Sequence, residues 1–284
     1  SRPRSRPAAD HFLCAVQERL AALGCKVVIQ GRTENGPAQY GEGSTLTAVA
    51  KAVKQRYKVD TMRALGDLTD PDQVDKCVSS ILKKFGRIDI IHNNAIWFQH
   101  GSAVELDEKD WDKTLSAGLK AIFIAAKYGI PVMMKTGGGS IINSASVHSL
   151  VSFATCTAYD SAKAGVLGLT RTLAIDYGPK IRVNAVLPGA ILTPLWDNLK
   201  VPEKDRRAFA KMVPAKKLGT GDDIAYAVLY LASTRPPTSQ APHWSWMEDY
   251  WPAVTETERA RPSTTPASLL SAQMLHRCST IATS

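Results

Sequence analysis

Tyr159 and Lys163 stand four positions apart in TAYDSAKAGVLGL, a spacing that puts both side chains on one face of a helix. An ammonium beside a phenol favours the phenolate and lowers a pKa that is ordinarily ~10. A tyrosine in that state exchanges a proton near neutral pH. Thirteen residues before it, Ser146 in SASVHS brings a hydroxyl that can donate to the same oxygen on which Tyr159 acts. Proton transfer to a carbonyl, coupled to hydride delivery, requires such a trio. A Tyr-x-x-x-Lys pair alone is common on surface helices, so its surroundings must carry the reading.

For the three to meet, a strand must deliver Ser146 and a helix must carry the other two. Residues 11–233 repeat that pattern. Leu13, Val16, Leu20 and Leu23 recur at helical spacing before Gly24, and KVVIQ (26–30) is a short β-branched run. A helix around 45–57 and an extended stretch near 58–66 follow. PDQVDKCVSSILKKF (71–85) opens with Pro, carries Val74, Val78, Ile81 and Leu82 on one face, and stops at Gly86. The strand IDII (88–91), helices at 107–118 and 120–135, the strand SIIN (140–143), a helix at 157–177, the strand IRVNAVL (181–187) and a helix at 222–233 complete the series. Strands alternating with helices predict a single doubly wound α/β domain with a parallel sheet. Ligands of such sheets sit beyond the carboxyl ends of the strands. Chemistry therefore belongs to the loops after 30, 66, 91, 143 and 187.

Those loops hold a consistent set. NNA (93–95) follows a buried strand, Asp67 follows the extended stretch, and Asn184 lies in a strand ending at Pro188-Gly189, with Thr193 beyond. Together with Ser146, Tyr159 and Lys163 they resemble the short-chain dehydrogenase/reductase family, with its Rossmann-type domain, over about residues 12–233. The resemblance implies that Tyr159 is the catalytic acid/base, that Lys163 holds the nicotinamide ribose and tunes Tyr159, and that Ser146 orients the substrate carbonyl. It implies that Asp67 contacts the adenine side and Asn93 flanks the cofactor. Pro188, Gly189 and Thr193 would wrap the nicotinamide carboxamide, and 190–214, with Trp196 and Phe209, would form a substrate lid. An acidic residue after KVVIQ would bind a free ribose 2′-hydroxyl. Arg32 stands there instead, and a guanidinium suits a 2′-phosphate. The expected activity is hydride transfer between NADP(H), preferred over NAD(H), and a secondary alcohol/ketone pair.

Three departures from the family pattern stand against this. SRPRSRPAAD (1–10) has no glycine-rich phosphate-binding turn and reads as an atypical leader. Gly118 occupies the place of the family's Asn, and Ile96 follows NNA where the family has Gly. Residues 234–284 are rich in Ser, Thr, Pro and Ala and read as a largely unstructured tail. The family's last strand is missing after 231–233. A shifted reading frame under His243–Tyr250 permits Leu-Val-x-Asp-Gly, so the tail reads as that strand out of frame. The first and last strands are thus expected to be absent. These departures favour a rival function, a non-catalytic scaffold or oligomerisation partner; the intact trio favours the enzyme.

Composition narrows the remaining classes. Hydrophobic residues make up 44% and charged residues 21% of the 284, as in ordinary folded domains. No run approaches the ~20 apolar residues of a membrane span, so no membrane partner is expected. Five cysteines without a C-x-x-C pair argue against a metal site or a disulfide framework, and point to a reducing, cytoplasmic setting. The net charge is +9, but pairs such as Lys83-Lys84 and Lys216-Lys217 are scattered, so no nucleic-acid partner is expected. Ile122, Phe123, Ile124 and Val132, then Val166, Leu167, Leu169 and Leu173, spread over more than one helix face. One face would cover the sheet and the other a second copy, giving a homo-oligomer.

Overall fold

The computed structural model describes residues 12–36, 45–193, 195–198, 201–233, 243–245 and 279–283; the leader at 1–10 and most of 234–284 lie outside them. Helix α1 (Phe12–Ala22) leads into β1 (Lys26–Gly31), followed by α2 (Leu46–Tyr57), β2 (Thr61–Leu65), α3 (Pro71–Phe85) and β3 (Ile90–Asn93). Then come α4 (Glu108–Leu115), α5 (Ala121–Lys135), β4 (Gly139–Ser144), α6 (Thr157–Tyr177) and β5 (Ile181–Leu187). The chain continues through α7 (Leu195–Asn198), α8 (Glu203–Met212), α9 (Gly221–Ala232), β6 (His243–Ser245) and β7 (Ser279–Thr283). Local chemistry sets these bounds. Asp70 caps α3 by accepting from the Asp72 and Gln73 amides, Pro71 opens it, and Gly86 closes it at φ 77°, a conformation glycine adopts without strain. Thr220 and Asp223 form a reciprocal capping box on α9. Between α4 and α5, Ser116–Lys120 form one π turn, so the two expected helices run on through a bulge rather than a break.

The sheet order is β2-β1-β7-β3-β4-β5-β6, and every pairing is parallel. Here the structure corrects an expectation. The centre of the sheet is not vacant: β7 lies between β1 and β3, with Ile281 opposite both Val28 and Ile91. The edge is extended too, since β6 pairs along β5 with Trp244 opposite Val186. Both strand positions expected to be empty are filled by short segments of the tail. A strand needs only backbone donors and acceptors in register, and a non-local segment supplies them as well as a local one.

Helices cover both faces. On one side Val74, Val78 and Ile81 of α3, Ile124, Ile130 and Met133 of α5, and Leu173 of α6 pack on Val28, Ile91, Ile141 and Val183 of the strands. On the other, Val16 and Leu20 of α1 meet Ile224, Val228 and Leu229 of α9 over Ile90, Ile142 and Val186. Each such side chain contributes about 1.5–3 kcal/mol when fully buried. Arg19 fastens α1 to α9 through two hydrogen bonds to Asp222, at 3.0 and 2.8 Å. Among the described residues, Glu108–Lys135 is long and apolar enough to span a membrane by length and composition, a run not counted from sequence. Half of that window is buried inside the fold, where it covers the sheet.

Candidate active site

Ser144 ends β4, and the chain turns at once through Ala145 and Ser146. Ser146 is 6% exposed and caps a short 3₁₀ turn, accepting from the His148 amide at 3.2 Å. The Val147 amide donates to Pro188 O at 3.1 Å, which draws the loop after β5 against the loop after β4. Helix α6 carries Tyr159 and Lys163, and sets Tyr159 toward Ser146 and Lys163 toward Ser144. The Tyr159 hydroxyl lies near enough to that of Ser146 for the serine to act on its pKa. Its ring meets Phe98 edge-on at 5.0 Å and His148 at 5.1 Å between centroids. Lys163 is 3% exposed; its Nζ donates to Ser144 O at 2.6 Å and lies 5.7 Å from the Tyr159 ring centroid.

The electrostatics differ from the expectation. Burial pushes Tyr159 up to about 12, while the Ser146 hydrogen bond pulls the other way. Burial also brings Lys163 down to about 8. The ammonium faces the Ser144 carbonyl instead of the phenol, and desolvation disfavours both charged forms. Tyr159 is therefore a protonated donor in this structure and not a phenolate. His92 beneath the site, with Nε2 3.0 Å from Ser144 Oγ, is lowered to about 4 by burial and then by the Lys163 charge, so it is neutral.

A cleft of about 200 Å³ opens at the carboxyl ends of β1 and β2. Arg32, Asp67 and Thr69 line one wall, and Ile96, Trp97, Lys113 and Ser116 the other. Arg32 is exposed at its mouth. Asp67 Oδ1 accepts from the Thr69 amide at 2.8 Å and its hydroxyl at 2.7 Å. Lys113 Nζ sits 3.3 Å from the Trp97 ring centroid. Two cations and a carboxylate in its lining suit an adenosine bearing phosphate groups. Of the other expected residues, Asn93 is buried and donates to Asn143 Oδ1 at 2.9 Å, and Asn143 donates to Thr170 Oγ1 at 2.9 Å. That chain ties β3, β4 and α6 together. Pro188, Gly189 and Thr193 follow β5 and are half-buried; none of the three lines the cleft. Asn184 is fully buried in β5, and its side-chain amide has no hydrogen-bond partner among the described residues. No glycine-rich turn between a strand and a helix lines the cleft among the described residues.

Two of the departures explain each other. Gly118 is buried in the π turn, and a Cβ built on it would overlap Ile96 Cδ1. The small residue at 118 and the large one at 96 share one volume, so they amount to a single exchange of size. Gly118→Asn alone is expected to overpack this contact and lower the melting midpoint, at a cost of ~1–3 kcal/mol. Ile96→Gly alone leaves a cavity. Combined, the pair should destabilise less than the sum of the singles, by ~0.5–3 kcal/mol. Additive melting shifts in the double variant would show that the two positions are independent.

Sequence reading missed Lys113, Trp97, His148, Ser149 and Asp160. Asp160 directly follows Tyr159, and His148 follows Ser146 by two; that adjacency was the available signal. His148, Cys156 and Asp160 place donor atoms within 4.8 Å of one another. Both Asp160 oxygens are engaged, by His148 Nδ1 and by the Phe153 amide.

A parallel doubly wound sheet with Ser146 just after β4 and Tyr159 and Lys163 on the helix beside it fits the nucleotide-dependent oxidoreductase class. The family model described as "Enoyl-(Acyl carrier protein) reductase" matches residues 14–238. Trans-4-hydroxycyclohexanecarboxylate dehydrogenase of Sinomonas cyclohexanicum is 36% identical over 220 residues, covering 75% of this chain and 78% of its own. 2-(R)-Hydroxypropyl-CoM dehydrogenase of Xanthobacter autotrophicus is 36% identical over 194 residues, covering 66% and 77%. The crystal structure of levodione reductase superposes with a TM-score of 0.71 at 31% identity, covering 78% of this chain and 86% of that one. The chain belongs to the short-chain dehydrogenase/reductase family, whose members are NAD(P)-dependent oxidoreductases of alcohols and ketones.

Proposed function

We propose that this protein interconverts a secondary alcohol and a ketone with NADP(H) as its cofactor. The observation that carries the reading is the convergence of the Ser146 and Tyr159 hydroxyls, with Lys163 one turn further along α6. NADPH supplies the hydride when bound. The protein's part is to hold the substrate oxygen between two hydroxyls: Ser146 donates a hydrogen bond that orients the carbonyl, and Tyr159 donates the proton. Lys163, anchored on Ser144 O, would hold the nicotinamide ribose, and Pro188, Gly189 and Thr193 would flank the carboxamide. Asp67 and Arg32 take the adenosine end. The test is a panel of ketones and secondary alcohols followed by NADPH absorbance; no turnover on any pair would sink the reading. In that event the rival is a non-catalytic relative, favoured by the absence of a glycine-rich turn from the cleft lining among the described residues, and cofactor titration separates the two.

Arg32 and Lys113 beside the cleft support NADP(H) over NAD(H). Arg32→Asp removes a cation and adds an anion where the 2′-phosphate would lie. The expected result is a swing in preference from NADPH toward NADH, read by titrating each cofactor against both proteins. Unchanged relative affinities would refute the assignment.

The cytoplasmic setting rests on the cysteine pattern, and the homo-oligomer on outward apolar side chains. Ile122, Ile124, Val166, Leu167 and Leu173 turn out to be core residues, whereas Phe123 on α5 is 49% exposed and Ile175 on α6 is 81% exposed. Light scattering at micromolar concentration reads the oligomer directly, and a monomer there would exclude it.

A further inference from the structure

The catalytic groups arrive on two separate pieces of chain, Ser146 on a loop and Tyr159 with Lys163 on a helix. Bonds between those pieces decide how far apart the hydroxyls sit. Asp160 Oδ1 meets His148 Nδ1 at 2.5 Å, and Asp160 Oδ2 accepts from the Phe153 amide at 3.0 Å. Ser149 Oγ donates to Lys163 O at 2.7 Å and accepts from the Ser146 amide at 3.3 Å. The His148 amide in turn donates to Ser146 Oγ. The loop at 146–153 is thus pinned to α6 at three points. The helix anchors are Lys163 itself and the residue that follows Tyr159.

We propose that Asp160 and His148 form a latch that sets the position of Ser146 against Tyr159, acting as positioning residues for hydride transfer. This rests on the function proposed above. A carboxylate only accepts, so His148 must carry its proton on Nδ1 when neutral, and the ring orientation is fixed with the tautomer. The bond is charge-assisted, and the two side chains are only 22% and 12% exposed, so solvent screens it little. Phe153 packs on the imidazole at 4.3 Å, and the Tyr159 ring stands against it at 5.1 Å. The imidazole is therefore held between the loop and the catalytic tyrosine. An Asn at 160 offers one acceptor oxygen where the carboxylate offers two. With that oxygen on the Phe153 amide, an Asn can meet His148 only through its own N–H donor, so the bond loses its charge and selects the opposite tautomer, and the latch on the loop is weakened while the helix stays packed.

The experiment uses the full chain. Asp160→Asn should lower kcat by ~10²-fold, the scale of a misplaced reacting group, with NADPH affinity unchanged. His148→Leu should do the same. His148→Asn, which keeps a donor near the Nδ1 position, should recover most of the rate. If the site needs only bulk there, Leu would serve better than Asn, and that order would overturn the latch. A second readout does not depend on turnover: nitrogen NMR of His148 should show Nδ1 protonated in the parent protein, and a population with Nδ1 bare in Asp160→Asn. A bare Nδ1 in the parent would overturn the latch even in an active enzyme. The expected tautomer in a protein that turns over nothing would instead count against the function reading and against a positioning role in it.

Discussion

Replacing Tyr159 by Phe should cut ketone reduction by ~10²–10⁴-fold, the usual worth of a positioned general acid, while NADPH still binds. The change removes one oxygen and leaves the ring against Phe98 and His148, so the fold has no reason to fail. Under the proposed mechanism, what is lost is the proton donor. Tyr159 is pushed up to about 12, so it stays loaded across the working range, and reduction should show no falling limb from this group at neutral pH. Oxidation runs the proton the other way and needs the phenolate. Its rate should climb with pH toward that value without a plateau near neutrality. Single-turnover rates in both directions, measured against pH, check this. Full activity in Tyr159→Phe would leave α6 a purely structural helix.

Removing residues 279–283 should abolish the cooperative fold. Strand β7 pairs with β1 from Lys26↔Ser279 to Gln30↔Thr283, and with β3 from Ile90↔Thr280 to His92↔Ala282. Without it the facing edges of two buried strands have no partner. Each unmet buried group costs ~1–3 kcal/mol, against a total stability of only ~5–15 kcal/mol. Several such groups exhaust the margin. Ile281→Pro is the milder form of the same test, since a proline in a central strand removes a ladder donor. Circular-dichroism melts of the two variants and the parent decide it. An unchanged midpoint in the shortened chain would mean that β1 and β3 do not rely on β7.

Most of the frame was legible because it is written locally. Helix α3 announces itself by Asp70, Pro71 and Gly86, and the trio by the four-residue step from Tyr159 to Lys163. Three things were not. STIAT in a polar tail carries no hydrophobic period, and its place is set by the edges of β1 and β3, far away in sequence. The shift of Tyr159 follows from how closely its oxygen is surrounded and from where Lys163 points, neither of which spacing reveals. Ile96 and Gly118 read as two defects because their shared volume exists only once β3 and the π turn are packed together.

The position of β7 also sets the order in which the sheet can be finished. Almost the whole chain separates Val28 from its partner Ile281, so this contact carries a large loop-closure term and raises the mean sequence separation of the fold, a property that slows folding. On a ribosome, β2 and β1 on one side and β3, β4 and β5 on the other emerge long before the strand that joins them. Their inner edges stay open throughout that interval, when chains of this length are most prone to pair with one another. The sheet thus cannot be completed before β7 is made, which ties the yield during synthesis to how well those two edges are kept apart from other chains.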